Sequence, residues 1–202
     1  GFSIVKYTGT GSAATVGHGL GVKPDMIFSK PYSTTGDWNI YHDSFSAQQR
    51  IKLNSTGAVS TNSGIFSSLP TSTLVNIGTS GDINANGTSH LFYCFNSVKG
   101  YSKFGKFIGN GNADGPFIYT GFKPAFVMLK NTATTSSWEI LDNKRNTFNS
   151  TAKTIFPDGA GAEYDYTNKL DLLSNGFKLK SNSPNGSGNT IIYMAFAEAP
   201  LV

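Results

Sequence analysis

A stretch near the start of the chain is present again one hundred residues later, and this duplication constrains the fold more than any other feature. Residues 6–40 read KYTGTGSAATVGHGLGVKPDMIFSKPYSTTGDWNI, and residues 106–140 read KFIGNGNADGPFIYTGFKPAFVMLKNTATTSSWEI. The copies are identical at 12 of 35 positions without a gap, whereas chance gives about two. The identical pairs are Lys6/Lys106, Gly9/Gly109, Gly11/Gly111, Ala13/Ala113, Gly21/Gly121, Lys23/Lys123, Pro24/Pro124, Lys30/Lys130, Thr34/Thr134, Thr35/Thr135, Trp38/Trp138 and Ile40/Ile140. The chain contains a tandem duplication.

The two copies can be aligned again at their ends. HLFYCFNSV (residues 90–98) aligns with IIYMAFAEA (residues 191–199) after one inserted residue. A period of about one hundred residues is too long for a solenoid unit and has the size of a small domain. We therefore predict two homologous domains, residues 1–98 and 99–202. Because the linker, residues 96–100, is short, we expect the domains to pack together with pseudo-two-fold symmetry.

The composition predicts an all-β fold. Gly is abundant at 23 residues, charged residues are only 14%, and aromatic residues reach 13%. Aromatic and β-branched residues favour strands, whereas Gly, Asn and Ser favour turns. No window of the sequence has a convincing 3.6-residue apolar period. About six strands and two packed sheets per copy give a β-sandwich, of jelly-roll-like or Ig-like connection.

Charge and cysteine content exclude several functional classes. The net charge is +4 and no run of Lys or Arg occurs, so the sequence does not favour nucleic-acid binding. No apolar run is long enough to cross a bilayer, and we expect no signal peptide. Cys94 is the one cysteine, and its apolar neighbours predict a buried thiol. The chain begins with Gly1 rather than Met, so it is taken as a possible piece of a longer protein.

Two tryptophans and a set of polar residues near them are the candidate structural and binding residues. Trp38 and Trp138 occupy the same position in both copies, inside alternating strands, and are predicted to belong to the core. The sequence diverges after each tryptophan, and divergent loops are where binding residues concentrate. The predicted ligand-binding residues are Tyr41, His42, Arg50, Asp142, Arg145 and Tyr164.

The sequence does not favour a metal, a cofactor or a catalytic centre. His18, His42 and His90 lie far apart and lack the spacing of metal ligands. Adjacent His42 and Asp43 point to opposite faces of a strand, and no nucleophile accompanies them. A glycoside hydrolase would need a pair of carboxylates. The candidates all lie in the second copy: Glu139, Asp142, Glu163, Asp165 and Asp171.

Several segments resemble a known family. YTGTG, HGLGVKPDMI, DWNIYHD, YSKFGKFIGNGNADGPFIYTGFKPAFVMLK, LLSNGFKL and YMAFAEAP are similar to repeat-containing domains of virion proteins from marine tailed bacteriophages, called tail-fibre or structural proteins. The resemblance covers essentially the whole chain, and ADGPFIYTGFKPAFVMLK and YMAFAEAP are its specific segments. It implies a β-rich virion component and carries over no catalytic residue.

These observations predict a non-enzymatic virion protein without a cofactor. The first expectation is a tail-fibre or adhesin module that binds a host-surface glycan or protein, alongside other virion subunits. By analogy with fibres, we expect a homo-oligomer, with a trimer as the first guess. The alternatives are a purely structural subunit of the head or tail and a polysaccharide-degrading enzyme of the tail.

Overall fold

The computed structural model describes residues 1–200, which form sixteen strands and one helical turn. The sheets are antiparallel, and the all-β prediction is confirmed. The elements are β1 (Phe2–Thr8), β2 (Ala14–Gly17), β3 (Met26–Pro31), β4 (Asn39–His42), β5 (Gln49–Lys52), β6 (Ser60–Thr61), β7 (Leu74–Ile77), α1 (Gly81–Asn84), β8 (Ser89–Phe95), β9 (Ser102–Ile108), β10 (Phe117–Tyr119), β11 (Pro124–Asn131), β12 (Glu139–Asp142), β13 (Thr151–Thr154), β14 (Tyr164–Leu173), β15 (Gly176–Leu179) and β16 (Thr190–Ala197).

The chain forms two compact units. The first comprises Gly1–Asn54 and Val59–Asn96, and the second begins again at Ser97 and also includes Ser55–Ala58. Ser55–Ala58 is held in the second unit by hydrogen bonds to the carbonyl oxygen of Thr56. The donors are the backbone N–H of Ser136, at 2.9 Å, and the Nζ of Lys130, at 2.8 Å.

The first unit is a sandwich of a six-stranded and a two-stranded sheet. The larger sheet has the order β1-β8-β3-β4-β5-β6, and the smaller pairs β2 with β7. Burial alternates along β1 and β8, as expected for strands with one face on a core. The core between the sheets includes Ile27, Phe92, Val75 and Ile77.

The second unit is a sandwich of two four-stranded sheets. One has the order β12-β11-β16-β9 and repeats the central order of the first unit, and the other has the order β10-β15-β14-β13. Its core takes Val127 and Ile191 from one sheet and Leu170 and Phe177 from the other. Each unit thus buries the apolar faces of two sheets against each other.

The strand that follows the fourth one changes sheets between the units. In the first unit β5 pairs with β4, whereas in the second unit β13 pairs with β14, and Ile155, the residue after β13, forms an isolated bridge with Ile140 of β12. The loop before this strand also differs in length. It runs over residues 43–48 in the first unit and over residues 143–150 in the second, so the second loop is two residues longer.

A buried asparagine clamps the same glycine turn in both units. Asn84 accepts a hydrogen bond from the backbone N–H of Thr10 at 2.8 Å, and Asn185 accepts one from Asn110 at 3.0 Å. The glycine turn also packs against the backbone next to the buried asparagine. A Cβ on Gly9 would lie 2.2 Å from the carbonyl oxygen of Ala85. Only glycine tolerates such an approach, which explains its presence at this position in both copies.

Candidate functional site

A polar cleft opens on the second unit beside the long loop of residues 143–150. Its volume is about 370 Å³, at the lower end of the range of small-ligand pockets. The loop supplies most of the walls, and β13, β14 and the end of β16 supply the rest. The cleft is lined by Lys123, Asn143, Lys144, Asn146, Thr147, Phe148, Asn149, Thr151, Leu172 and Glu198.

Asparagine side chains hold the long loop in its shape. Asn146 Oδ1 accepts the backbone N–H groups of Ala152 and Lys153, at 3.0 and 2.7 Å. Asn149 pairs with the backbone of Leu172 through both ends of its amide, at 2.8 and 2.9 Å. Such local side-chain bonds give the backbone of a loop the partners that a sheet would otherwise provide.

Phe148 stands out of the loop into solvent. Its side chain is 84% exposed, the largest exposure among the large apolar residues in the described part of the chain. The corresponding loop of the first unit contains Phe45, which is only 7% exposed and packs against the ring of His42 at 5.8 Å. An exposed aromatic ring beside a polar cleft is a usual platform for ligands that have one apolar face.

The charges in the cleft are partly paired. Glu198 lies 2.7 Å from Lys123 Nζ and also accepts a hydrogen bond of 2.7 Å from Asn143 Nδ2. The bond from Lys123, the amide of Asn143 and the charge of Lys144 together hold the pKa of Glu198 below its ordinary value. Lys144 is exposed, and its Nζ forms no hydrogen bond or ion pair among residues 1–200, although its charge acts on Glu198. The cleft therefore retains one cation outside a direct ion pair.

Three of the predicted ligand-binding residues lie in the first unit. Tyr41 and His42 are buried on β4, where His42 Nδ1 is 2.8 Å from the hydroxyl of Ser44. Burial raises the pKa of the Tyr41 hydroxyl to about 12. Arg50 is half-buried on β5. Tyr41 and His42 thus pack within the unit and do not present a side chain to an external ligand.

The other three predicted residues lie in the second unit, and two of them pair with each other. Arg145 Nε is 2.7 Å from Asp142 Oδ2, and Arg145 also donates to the carbonyl oxygen of Ile140 at 2.9 Å. Partial burial alone would raise the pKa of Asp142, but hydrogen bonds from the backbone and side chain of Arg145 lower it. Tyr164 is 55% exposed, with its ring 4.4 Å from that of Tyr166. The ion pair of Arg145 with Asp142 connects the long loop to the end of β12.

Most of the carboxylates considered for hydrolysis face a cation. Glu139 is buried, and both of its oxygens lie within 2.9 Å of Lys169 Nζ. Glu163 is 3.5 Å from Arg145 and 3.4 Å from Lys153, and Asp171 is 3.9 Å from Lys180. Burial raises the pKa of Glu139, and Lys169 opposes this effect. These carboxylates serve the packing and the surface pairing of the second unit.

The two tryptophans differ in environment. Trp138 is fully buried, and its backbone N–H donates to Asp158 at 2.9 Å. Trp38 is half-buried, and its ring stacks on Tyr93 with 6.2 Å between the ring centres. The equivalent positions in sequence therefore do not have the same degree of burial.

Sequence reasoning missed the residues that line the cleft. The alignment of the two copies without gaps ends at Ile140, just before the loop whose length differs. The available signal was this change of length, together with an apolar Phe148 inside the polar run NKRNTFNS. This signal is ambiguous, because a phenylalanine in a loop is as easily buried as exposed, as Phe45 shows.

Among residues 1–200, no group of three or more His, Cys, Asp or Glu side chains is placed to hold a metal ion. None of the helices described there is long and apolar enough to cross a membrane.

Comparison with known proteins gave a single family. A family model with the description "Domain of unknown function (DUF7483)" matches residues 1–200. Searches of the curated proteins and of the solved structures found no match.

Proposed function

We propose that this chain, which belongs to the DUF7483 family, is a non-catalytic binding module of a tailed-phage particle that attaches to a host-surface glycan or protein. The observation that carries the proposal is the cleft of the second unit with Phe148 at its rim. Ligand-binding pockets combine apolar walls with a few polar groups that fix the orientation of the ligand. The particle itself is proposed from the resemblance of the sequence to phage virion proteins.

The duplication supports a binding role for the second unit. Both units share four strands in the same order and the same glycine turn. The loop after the fourth strand is nevertheless closed in the first unit, so this shared structure does not require an open loop. In the first unit the loop is short and its phenylalanine is buried. In the second unit two added residues place a phenylalanine in solvent, at a cost in apolar exposure. An exposed aromatic ring at the mouth of a cleft is available to a ligand that has an apolar face.

The pairing of the carboxylates favours binding over hydrolysis. A general acid needs a carboxyl whose pKa is raised and which faces the scissile bond. Glu139 has a raised pKa but is buried against Lys169, whereas Asp142 is held ionised by Arg145. The proposal therefore assigns no catalytic residue.

A module of this kind gains strength from repetition. Several copies on one particle convert weak single contacts into strong attachment without any new contact. We therefore include in the proposal a homo-oligomer, with a trimer as the first arrangement to test, assembled with other virion subunits.

One observation favours the structural alternative. Phe117 and Tyr119 are exposed on β10, an edge strand of the second unit. An exposed edge with aromatic side chains is a natural contact for another subunit. A head or tail subunit would use this edge and would leave the cleft empty.

The experiment is the adsorption of the fluorescently labelled protein to a panel of marine bacterial strains. Heat-unfolded protein is the control for nonspecific adhesion, and Phe148→Ala and Phe117→Ala are compared with the parent chain. We expect saturable binding to a few strains that Phe148→Ala weakens at least several-fold and Phe117→Ala leaves unchanged. No saturable binding to any strain would refute the adhesin proposal and favour the structural subunit.

A further inference from the structure

Several hydrogen-bond donors of the cleft are unused. Lys144 Nζ, Asn146 Nδ2 and the hydroxyl of Thr147 have no partner among residues 1–200. The acceptor oxygens of Asn146 and Asn149 are already bound to backbone N–H groups. A ligand rich in acceptor oxygens is the chemical complement of these walls.

The side-chain oxygen of Asn143 is an unused acceptor, and its burial limits its role. Asn143 Oδ1 is shielded from solvent and lacks a hydrogen-bond partner, while its Nδ2 donates to Glu198 at 2.7 Å. The orientation of this amide is fixed by the carboxylate, because the reverse orientation would place two oxygens together. Asn143 therefore helps to fix Glu198 and offers a ligand one acceptor at most.

The charge of the cleft selects the same kind of ligand. Its lining has two lysines and one glutamate, and Lys123 neutralises that glutamate at 2.7 Å. The neighbouring Arg145 is turned away, toward Asp142 and the carbonyl oxygen of Ile140. Lys144 is thus the charge that remains for a ligand, and it attracts an anion.

The exposed ring of Phe148 adds the second requirement. Aromatic faces pack against flat apolar surfaces whose edges are polar, and the C–H face of a pyranose is such a surface. The cleft volume of about 370 Å³ is that of a pocket for a small ligand, such as a short saccharide segment. A folded protein partner needs a much wider surface, with roughly 800 Å² buried on each side.

We propose that the cleft binds an acidic saccharide, with the carboxylate or sulfate of the sugar on Lys144 and the sugar ring on Phe148. This inference rests on the proposed binding function and specifies its ligand class. Asn146 and Thr147 donate to the hydroxyl groups or the ring oxygen of the sugar. Glu198, held by Lys123 and Asn143, fixes the opposite wall.

The first stage of the test is a glycan array that carries carboxylated, sulfated and neutral saccharides, probed with the full chain. We expect the signals to fall on carboxylated or sulfated glycans, and the array shows which of the two anions is preferred. The strongest binder is then titrated beside its carboxyl-reduced or desulfated form. We expect the uncharged form to bind about tenfold more weakly, and the affinity of the acidic form to fall with added salt.

The second stage uses variants that are expected to fold, because both side chains are exposed. Lys144→Gln and Phe148→Ala should each weaken binding of the acidic glycan by about tenfold. Lys99→Gln removes an exposed cation elsewhere in the second unit and should leave the affinity unchanged. Equal affinity of parent and Lys144→Gln for the acidic glycan would overturn the assignment.

The outcomes separate this inference from the proposed function. Binding to neutral glycans alone overturns the acidic ligand and leaves the binding module intact. Binding of cells that depends on Phe148, without any glycan signal, indicates a protein receptor and also overturns the saccharide. Absence of both glycan and cell binding overturns the two proposals together.

Discussion

The loops that follow the fourth strand of each unit use one phenylalanine in opposite ways. In the first unit Phe45 is 7% exposed and packs on His42, whereas in the second unit Phe148 is 84% exposed at the mouth of a cleft. The strands before the loops have the same order in both units, whereas the strand after the loop pairs with β4 in the first unit (β5) and with β14 in the second (β13). The difference teaches that duplication conserved the strands before the loop, while a longer loop and a changed pairing of the next strand accompany the open copy.

The cores of the two units differ in polarity, and here the first unit is the more polar one. Tyr7, Ser29 and His90 are replaced in the second copy by Phe107, Leu129 and Ile191, according to the alignment of the copies. His90 and Ser29 are fully buried. The first unit therefore carries polar groups at core positions where the second is apolar.

The second unit has instead a buried ion pair. Lys169 on β14 bonds Glu139 on β12 and also the carbonyl oxygen of Ser183 at 2.9 Å, with its Nζ 4.3 Å above the ring of Tyr166. In the first unit the position of Glu139 is occupied by Asn39. The pair links strands of the two sheets of the second unit. Its removal should therefore destabilise the second unit and leave the first unit unchanged.

Lys169→Met is expected to have the largest effect. It leaves the carboxylate of Glu139 buried without its cation, which costs about 3–5 kcal/mol in the free energy of unfolding. The measurement is chemical denaturation, with hydrogen exchange to locate the loss in the second unit. Lys180→Met, which removes an exposed pair with Asp171, is the matched control and should cost less than about 1 kcal/mol. A loss confined to the first unit, or equal losses for the two variants, would contradict this role.

The two loop phenylalanines provide the next comparison. Phe45→Ala should destabilise the chain by about 3 kcal/mol, because it leaves a cavity. Phe148→Ala should change the free energy of unfolding by less than about 0.5 kcal/mol, because an exposed ring packs on little. Denaturation of the two variants in parallel measures both values. Similar losses would mean that Phe148 packs in solution and that the cleft is closed.

The asparagine clamps should behave alike. Asn84 donates to Ser12 and Gly78 at 2.7 and 2.8 Å, and Asn185 donates to Asn112 at 2.8 Å. Substitution by alanine leaves buried backbone groups without partners, at about 2 kcal/mol in each unit. The free energies of unfolding of Asn84→Ala and Asn185→Ala should agree within about 1 kcal/mol. A large loss for one alone would show that the clamp has lost its role in the other copy.

The smallest expected effect is a pH dependence confined to the first unit. Burial lowers the pKa of His90 below its ordinary value of 6.5, although the carbonyl of Ala85 and the carboxylate of Asp82 oppose this. Below pH 6.5 the unfolded chain takes up a proton that the folded chain still excludes. The free energy of unfolding therefore decreases as the pH is lowered, until the pKa of His90 in the folded state is reached. The polar environment of His90 also includes Tyr7, whose ring centre is 5.3 Å away.

His90→Ile, which copies the second unit, tests this dependence. We expect the free energy of unfolding of the parent to fall more steeply between pH 7.5 and pH 5 (a range set by the ordinary pKa of histidine, about 6.5) than that of the variant. Hydrogen exchange of β8 and β16 at the two ends of the range locates the difference. Parallel pH profiles would show that His90 does not drive it.

The sequence predicted the frame because strands and turns are local properties. The alternating apolar residues of β1, β8 and β16 and the repeated glycines gave the all-β fold and the duplication. The sequence predicted about six strands in each copy, whereas each unit has eight. The short β10 and β13 have little signal, since Phe117–Tyr119 is too short for a periodic pattern and Thr151–Thr154 contains few apolar residues. Their pairing depends on neighbours that are distant in sequence.

What the sequence determined by itself is therefore the repetition, the all-β class and the exclusion of long helices. The repetition follows from identical residues, and the other two follow from composition and from the spacing of apolar residues. Only the tertiary structure decided that Tyr41 and His42 are buried, that Arg145 pairs with Asp142 and that Phe148 is exposed. Burial depends on which distant strands cover a side chain, and a sequence pattern does not contain that information. β13 and β14 both contribute to the wall of the cleft, and their pairing is a property of the folded unit alone.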